Sequence, residues 1–197
     1  MRKMLQGVFL LCFGIGLAFA QSADTRRTQI EHQYQEAVQK AAQADAKHKM
    51  TVTFANEDVN FGLIEKQFDF FYDNTQEEVN SNRLYLVRVV RKEPKSSIRE
   101  TTDYLFDPVY PLGRFIMMSR DFSSSVYRIE DSTYSDGTKP FLVQSKQTEL
   151  ASGKVVSNQT WTKNIQDMSA QQHSKELLNI FNNIFASFIN LNFYVIY

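Results

Sequence analysis

The sequence predicts an α+β fold, an antiparallel β-meander of about six to eight strands packed against an N-terminal and a C-terminal helix. Three observations predict it. Apolar residues recur at helical spacing over about 24–49 and again over about 168–190. Between them, over about 50–163, the apolar period is two. Aspartate also follows an aromatic strand end three times, in Tyr72-Asp73-Asn74, Phe106-Asp107-Pro108 and Tyr134-Ser135-Asp136-Gly137. An Asp side chain there can accept hydrogen bonds from the turn backbone.

Residues 1–20 read as a cleaved signal peptide. Arg2 and Lys3 make a basic start, Leu5 to Phe19 an apolar run, and Ala18-Phe19-Ala20 a small-x-small end. Ala18 and Ala20 are the residues that a signal peptidase would recognise. The run is short for a membrane span, which takes about 20 residues. Cys12 follows Leu11 and is followed by further apolar sequence, unlike a lipid-attachment cysteine. The expected product is a single exported domain over 21–197. Its expected place is the periplasm or the extracellular space of a Gram-negative bacterium.

In that domain the first helix spans about 24–49, capped by Asp24 or Ser22. Its apolar stripe is Ile30, Tyr34, Ala37, Val38, Ala41 and Ala44, and Lys47, His48 and Lys49 suit the last turn. Strands follow around Met50–Phe54, Phe68–Tyr72, Arg83–Arg91, Thr102–Phe106, Phe115–Met118, Tyr127–Ile129, Phe141–Val143 and Val155–Trp161. In the third of these, alternation puts Tyr85, Val87 and Val89 on one face and Leu84 and Leu86 on the other. Leu177, Leu178, Phe181, Ile184, Phe185, Phe188 and Ile189 give the last helix a broad apolar face. Asn190–Tyr197 leaves three readings open: more helix, a strand, or a shifted reading frame at the gene's end.

A signal peptide, a helix, and hairpins carrying Tyr104-Leu105-Phe106-Asp107 and Tyr134-Ser135-Asp136-Gly137 resemble a group of small exported bacterial proteins of uncharacterised function. Those chains repeat aromatic-x-Phe-Asp and Asp-Gly hairpin units. The resemblance covers roughly the middle half of the chain. It implies no catalytic residues.

Composition narrows the chemistry. Without residues 1–20 the chain holds 20 basic and 22 acidic residues and no cysteine. Near neutrality gives no footprint for nucleic acid. The lack of cysteine excludes a disulfide framework, a thiol nucleophile and Cys-ligated zinc. No transmembrane helix is expected after residue 20. His32 and Glu36 share a helix face but do not make a metal site by themselves. Ser123-Ser124-Ser125 lacks the glycine-flanked nucleophile elbow. Glu130 and Asp131 are strand neighbours that point to opposite faces. No cofactor and no metal site is expected.

The aromatic run Phe68, Phe70, Phe71 and Tyr72 is the remaining signal. The favoured reading is a strand covered on both faces. The sharper one is an exposed patch that binds a protein partner or an apolar ligand. The functional expectation is therefore an exported, non-enzymatic binding or interaction protein. Two alternatives stand beside it: a secreted hydrolase with a site assembled from distant residues, and a small outer-membrane-associated β protein.

Overall fold

The computed structural model describes residues 22–60, 62–74, 82–93, 98–107, 113–122, 126–136, 139–162, 165 and 169–194. The export segment 1–20 with Ala18 and Ala20, the Ser123-Ser124-Ser125 run and residues 195–197 lie outside the described residues. Helix α1 (Ala23–Ala42) precedes eight strands: β1 (Lys49–Asp58), β2 (Gly62–Asn74), β3 (Asn82–Glu93), β4 (Ile98–Phe106), β5 (Gly113–Phe122), β6 (Tyr127–Ser135), β7 (Pro140–Glu149) and β8 (Val155–Trp161). Helix α2 (Ser169–Tyr194) closes the order. Each strand pairs antiparallel with the next, in one open sheet with β1 and β8 as its edges.

Local chemistry sets the helix ends. Ser22 is the N-cap, its Oγ accepting from the Thr25 N–H at 3.1 Å, and Asp24 sits in the first turn, where the helix dipole favours an anion. The helix stops at Ala42, well short of 49. Asp45 turns the chain: Oδ1 accepts from the Lys47 N–H at 3.0 Å and lies 2.7 Å from His48 Nδ1. Lys47 and His48 therefore lie beyond the helix, and Lys49 opens β1; Lys40 is the cation of the last turn. At the other end α2 runs on to Tyr194, so Asn190–Tyr194 is helix.

The two helices cover opposite faces of the sheet. Phe71, Leu86, Leu105, Phe115, Tyr134 and Leu142 are successive cross-strand partners from β2 to β7. All but Phe115, whose side chain is not described, form a core cluster with Ile30, Tyr34 and Ala37 of α1. The sequence neighbours Phe70, Val87 and Tyr104 point the other way, as the pleat requires. With Tyr72, Leu84 and Phe106 they pack against Leu177 and Phe181 of α2.

Three β-bulges lie at one end of the sheet, in the β2–β3, β4–β5 and β6–β7 hairpins. Each inserts one extra residue opposite the partner strand: Tyr85, Arg114 and Phe141. The insertion shifts the side-chain phase and corrects the expected faces of β3. Tyr85 joins Leu86 on the α1 face, and Leu84 joins Val87 on the α2 face. Tyr85 and Phe141 then each carry a cation from α1, with Lys40 Nζ 4.6 Å and Arg26 Cζ 4.4 Å from their ring centroids. The turn aspartates divide in role. Asp136 accepts from the Lys139 N–H at 3.0 Å, as expected of turn chemistry, whereas Asp73 accepts from Lys40 Nζ at 2.7 Å.

Polar contacts fix α1 in one position. Asp103 on β4 is 1% exposed. Arg88 holds it through Nε to Oδ1 at 2.8 Å and Nη2 to Oδ2 at 2.7 Å, and the Tyr34 hydroxyl donates to Oδ2 at 2.7 Å. Tyr134 donates to Glu31 Oε1 at 2.7 Å. Burial, and then the Asp103 carboxylate, push the Tyr34 phenol far above its usual range. Burial, and then the bond to Glu31, do the same for Tyr134.

Asp103→Ala leaves Arg88 and Tyr34 without their acceptor and should lower stability by roughly 3–5 kcal/mol. Tyr34→Phe removes a single hydrogen bond and should cost about 1–2 kcal/mol. Urea unfolding of both single variants and the double variant measures the coupling. The phenols of Tyr34, Tyr104 and Tyr134 stay protonated in the fold above the ordinary value of 10.0. Their contribution is fully present below that value and is lost as pH rises through the folded values, at up to about 1.4 kcal/mol per pH unit for each phenol. Stability measured from pH 8 to 12 should fall above pH 10, and less steeply in Tyr134→Phe.

Candidate functional site

The α2 face of the sheet changes character row by row. Phe70, Val87 and Tyr104 form one cross-strand row of β2, β3 and β4. The next is Phe68, Val89 and Thr102, and the one beyond is Lys66, Arg91 and Glu100. Core gives way to a row in which Phe68 and Val89 are half-buried, and then to a charged one. On α2, His173, Glu176, Leu177 and Ile180 have the spacing of a single helical stripe. The stripe faces those rows across a cleft of about 380 Å³.

Phe68, Val89 and Tyr104, with Leu177 and Ile180, give the cleft its apolar floor and wall. Lys66, Arg91, Glu100, His173 and Glu176 form its charged rim. Ile180 is 40% exposed there. An aromatic ladder runs out of the core along the sheet. Phe181 stacks on Phe70 at 5.9 Å, Phe70 on Phe68 at 6.5 Å, and Phe68 meets Phe54 of β1 edge-on at 5.7 Å. Phe54 is 58% exposed.

The rim charges are mixed, since Arg91 has Lys66 as one cross-strand partner and Glu100 as the other. Lys66 and Arg91 are direct cross-strand partners, an unfavourable placement for like charges. Lys66 is exposed and has no ion-pair partner among the described residues. Arg91 pairs through Nη2 with the buried Glu93, while its Nε is buried without an acceptor. Glu100 and Glu176 also bear on Tyr104. Burial first, and then Glu100 and Glu176, push its phenol up to about 12. Tyr104 is thus a neutral donor at physiological pH.

The four aromatics singled out in the sequence do not form one surface. Phe70 and Tyr72 are buried beneath α2, and Phe71 is buried on the α1 face. This is a strand covered on both faces, and only Phe68 of the four lines the cleft. Lys66, Arg91 and Ile180 were not singled out from sequence. Alternation along β2 does place Lys66 on the face of Phe68, but the register that sets Arg91 beside it is not visible in either segment alone.

The other candidates separate. His32 Nδ1 lies 3.5 Å from Glu36 on an exposed face of α1. No group of three or more potential metal ligands occurs among the described residues. Glu130 pairs with Lys146 at 3.1 Å in a polar hollow between α1 and β6–β7. Asp131 belongs to the row of Met118 and Ser145 on the opposite face. No helix among the described residues is long and apolar enough to cross a membrane. Comparison with known protein families, with characterised proteins and with solved structures found no match.

Core and cleft aromatics should respond differently to truncation. Phe70→Ala and Phe71→Ala should each cost about 3–5 kcal/mol. Phe68→Ala, at a half-buried site, should cost less than half as much. Urea midpoints of the three variants at constant m-value decide it.

Proposed function

We propose that the protein is exported by residues 1–20 and acts in the periplasm or outside the cell as a non-enzymatic binding protein. Its ligand is a small, largely apolar molecule seated between α2 and β2–β4. The observation that carries this reading is the cleft itself, with an apolar floor, a polar rim and the exposed side chain of Ile180 at its edge. Its volume falls within the range of small-molecule sites, about 300–1,000 Å³.

A hydrolase is the second reading, because Glu100, His173 and Glu176 share this cleft. Acid catalysis by a carboxyl group at neutral pH needs a desolvated site that keeps the proton on. Glu176 is exposed and Glu100 half-exposed, which favours binding over turnover. The outer-membrane reading is weaker. A membrane-spanning sheet must close to satisfy its edges, and this sheet is open with a helix on each face.

Titration with the neutral fluorophore N-phenyl-1-naphthylamine tests the cleft. Saturable binding is expected. Ile180→Lys should weaken it about tenfold, the equivalent of losing one apolar side-chain contact, with the melting temperature unchanged. Turnover of a substrate from a hydrolase panel, abolished by Glu100→Gln or Glu176→Gln, would overturn the binding reading. For export, the mass of the secreted product should place its N-terminus at Gln21, and Ala20→Arg should block processing.

A further inference from the structure

We infer that the β8 edge of the sheet is a self-association surface, through which two copies of this chain pair β8 with β8 antiparallel about a two-fold axis. The two sheets then join into one. This inference stands apart from the cleft, which lies between α2 and β2–β4.

The edge is unguarded. An edge strand presents unpaired N–H and C=O groups, and charge or proline on it normally blocks pairing with another chain. The seven residues of β8, Val155 to Trp161, include neither. The strand pairs with β7 on one side and with no strand on the other among the described residues. β1, the opposite edge, carries Lys49, Glu57 and Asp58. Apolar exposure is concentrated at the same place. Val155, Val156 and Trp161 are all exposed. So are Leu150, in the turn that leads into β8, and Val126, whose carbonyl accepts from the Leu150 N–H at 2.8 Å. Single exposed apolar residues need no explanation, but a contiguous group marks an interaction site.

Charge and symmetry name the occupant. An antiparallel two-fold sets a strand against its own sequence reversed. β8 is uncharged throughout, so that arrangement brings no like charges together within the strand. Lys154 lies outside it, its backbone held in the β7–β8 turn by Glu149 and Ser152. Reversal also brings the valine end of each copy to the tryptophan end of the other, and aromatic and β-branched side chains favour each other across strands. With one edge unguarded and the other charged, pairing closes at two copies, as an isologous interface does. Pairing of β8 with β1 of a further copy would instead grow without end.

Sedimentation velocity and tryptophan fluorescence over a wide range of protein concentration test this together. The mass should rise from monomer to dimer and stop there. Trp161 is the only tryptophan, so its emission reports on this edge and should shift to the blue as the dimer forms. Gln159→Lys, at an exposed position on β8, brings a cation toward its own copy and should weaken the dimer about tenfold. Its far-ultraviolet circular dichroism should match the wild type, which separates lost pairing from lost folding. Thr53→Lys, on the exposed face of β1, should leave the dimer intact. A wild-type chain that stays monomeric at every concentration would overturn the inference. So would a dimer that forms with no change in Trp161 emission, or one broken by Thr53→Lys and not by Gln159→Lys. A mass that keeps growing with concentration would overturn the two-fold closure.

Discussion

The Asp103 carboxylate, shut away from water on β4, is the fixed point of this molecule. A hairpin meander by itself joins each strand only to its neighbours, and its apolar rows need a cover. Helix α1 supplies one, crossing the sheet from the Arg26–Phe141 contact to the Lys40–Asp73 pair. Aliphatic packing of Ile30 and Ala37 drives that cover down but leaves its position loosely specified. Asp103 specifies it, because the carboxylate is satisfied only when Arg88 and Tyr34 both reach it. A buried ion pair adds little net stability over an apolar replacement but penalises its own disruption heavily. Any other placement of α1 would take Tyr34 away from the buried carboxylate and so carries that penalty.

The bulges extend the same logic. An undisturbed alternation would send Tyr85 to the α2 face and pair Leu84 with Leu86. One extra residue in the hairpin brings Tyr85 under Lys40 instead. The same device at Phe141 places a ring under Arg26. Each end of α1 therefore meets a bulge aromatic, and the middle meets Tyr134 and Asp103. With α1 held at several points, β2, β3 and β4 form a firm floor for the cleft on their other face.

Much of this was legible in the sequence. Eight period-two runs correspond to eight strands, and two helical runs to two helices. The errors have local causes. Charge placement suggested that Lys47–Lys49 ended a helix, but the Asp45 side chain bonds the backbone and starts a turn. Alternation misplaced Tyr85 because a bulge leaves little trace in residue type. The site was legible only through Phe68. Lys66 and Arg91 are ordinary solvent-face charges within their own strands. Their pairing depends on register, and the acceptor missing at Arg91 Nε depends on the depth to which the fold buries it. Ile180 looks like one more core residue of an apolar helix until the helix is set on the sheet, where it stands at the cleft's edge.

That edge shows where the contact between α2 and the sheet changes from packed core to open cleft. The rows nearest the bulged end are fully apolar and sealed by α2. Moving away from that end, the floor stays apolar through Phe68 and Val89 while the helix contributes His173 and Glu176 rather than another large side chain. Filling the gap with an apolar residue at either position would extend the core by one row and add stability at little structural cost. The chain instead leaves Phe54 and Ile180 exposed and lines the cleft's rim with charges of both signs. The proposed apolar ligand would cover both apolar side chains in one binding event, completing on binding the row that the fold leaves open.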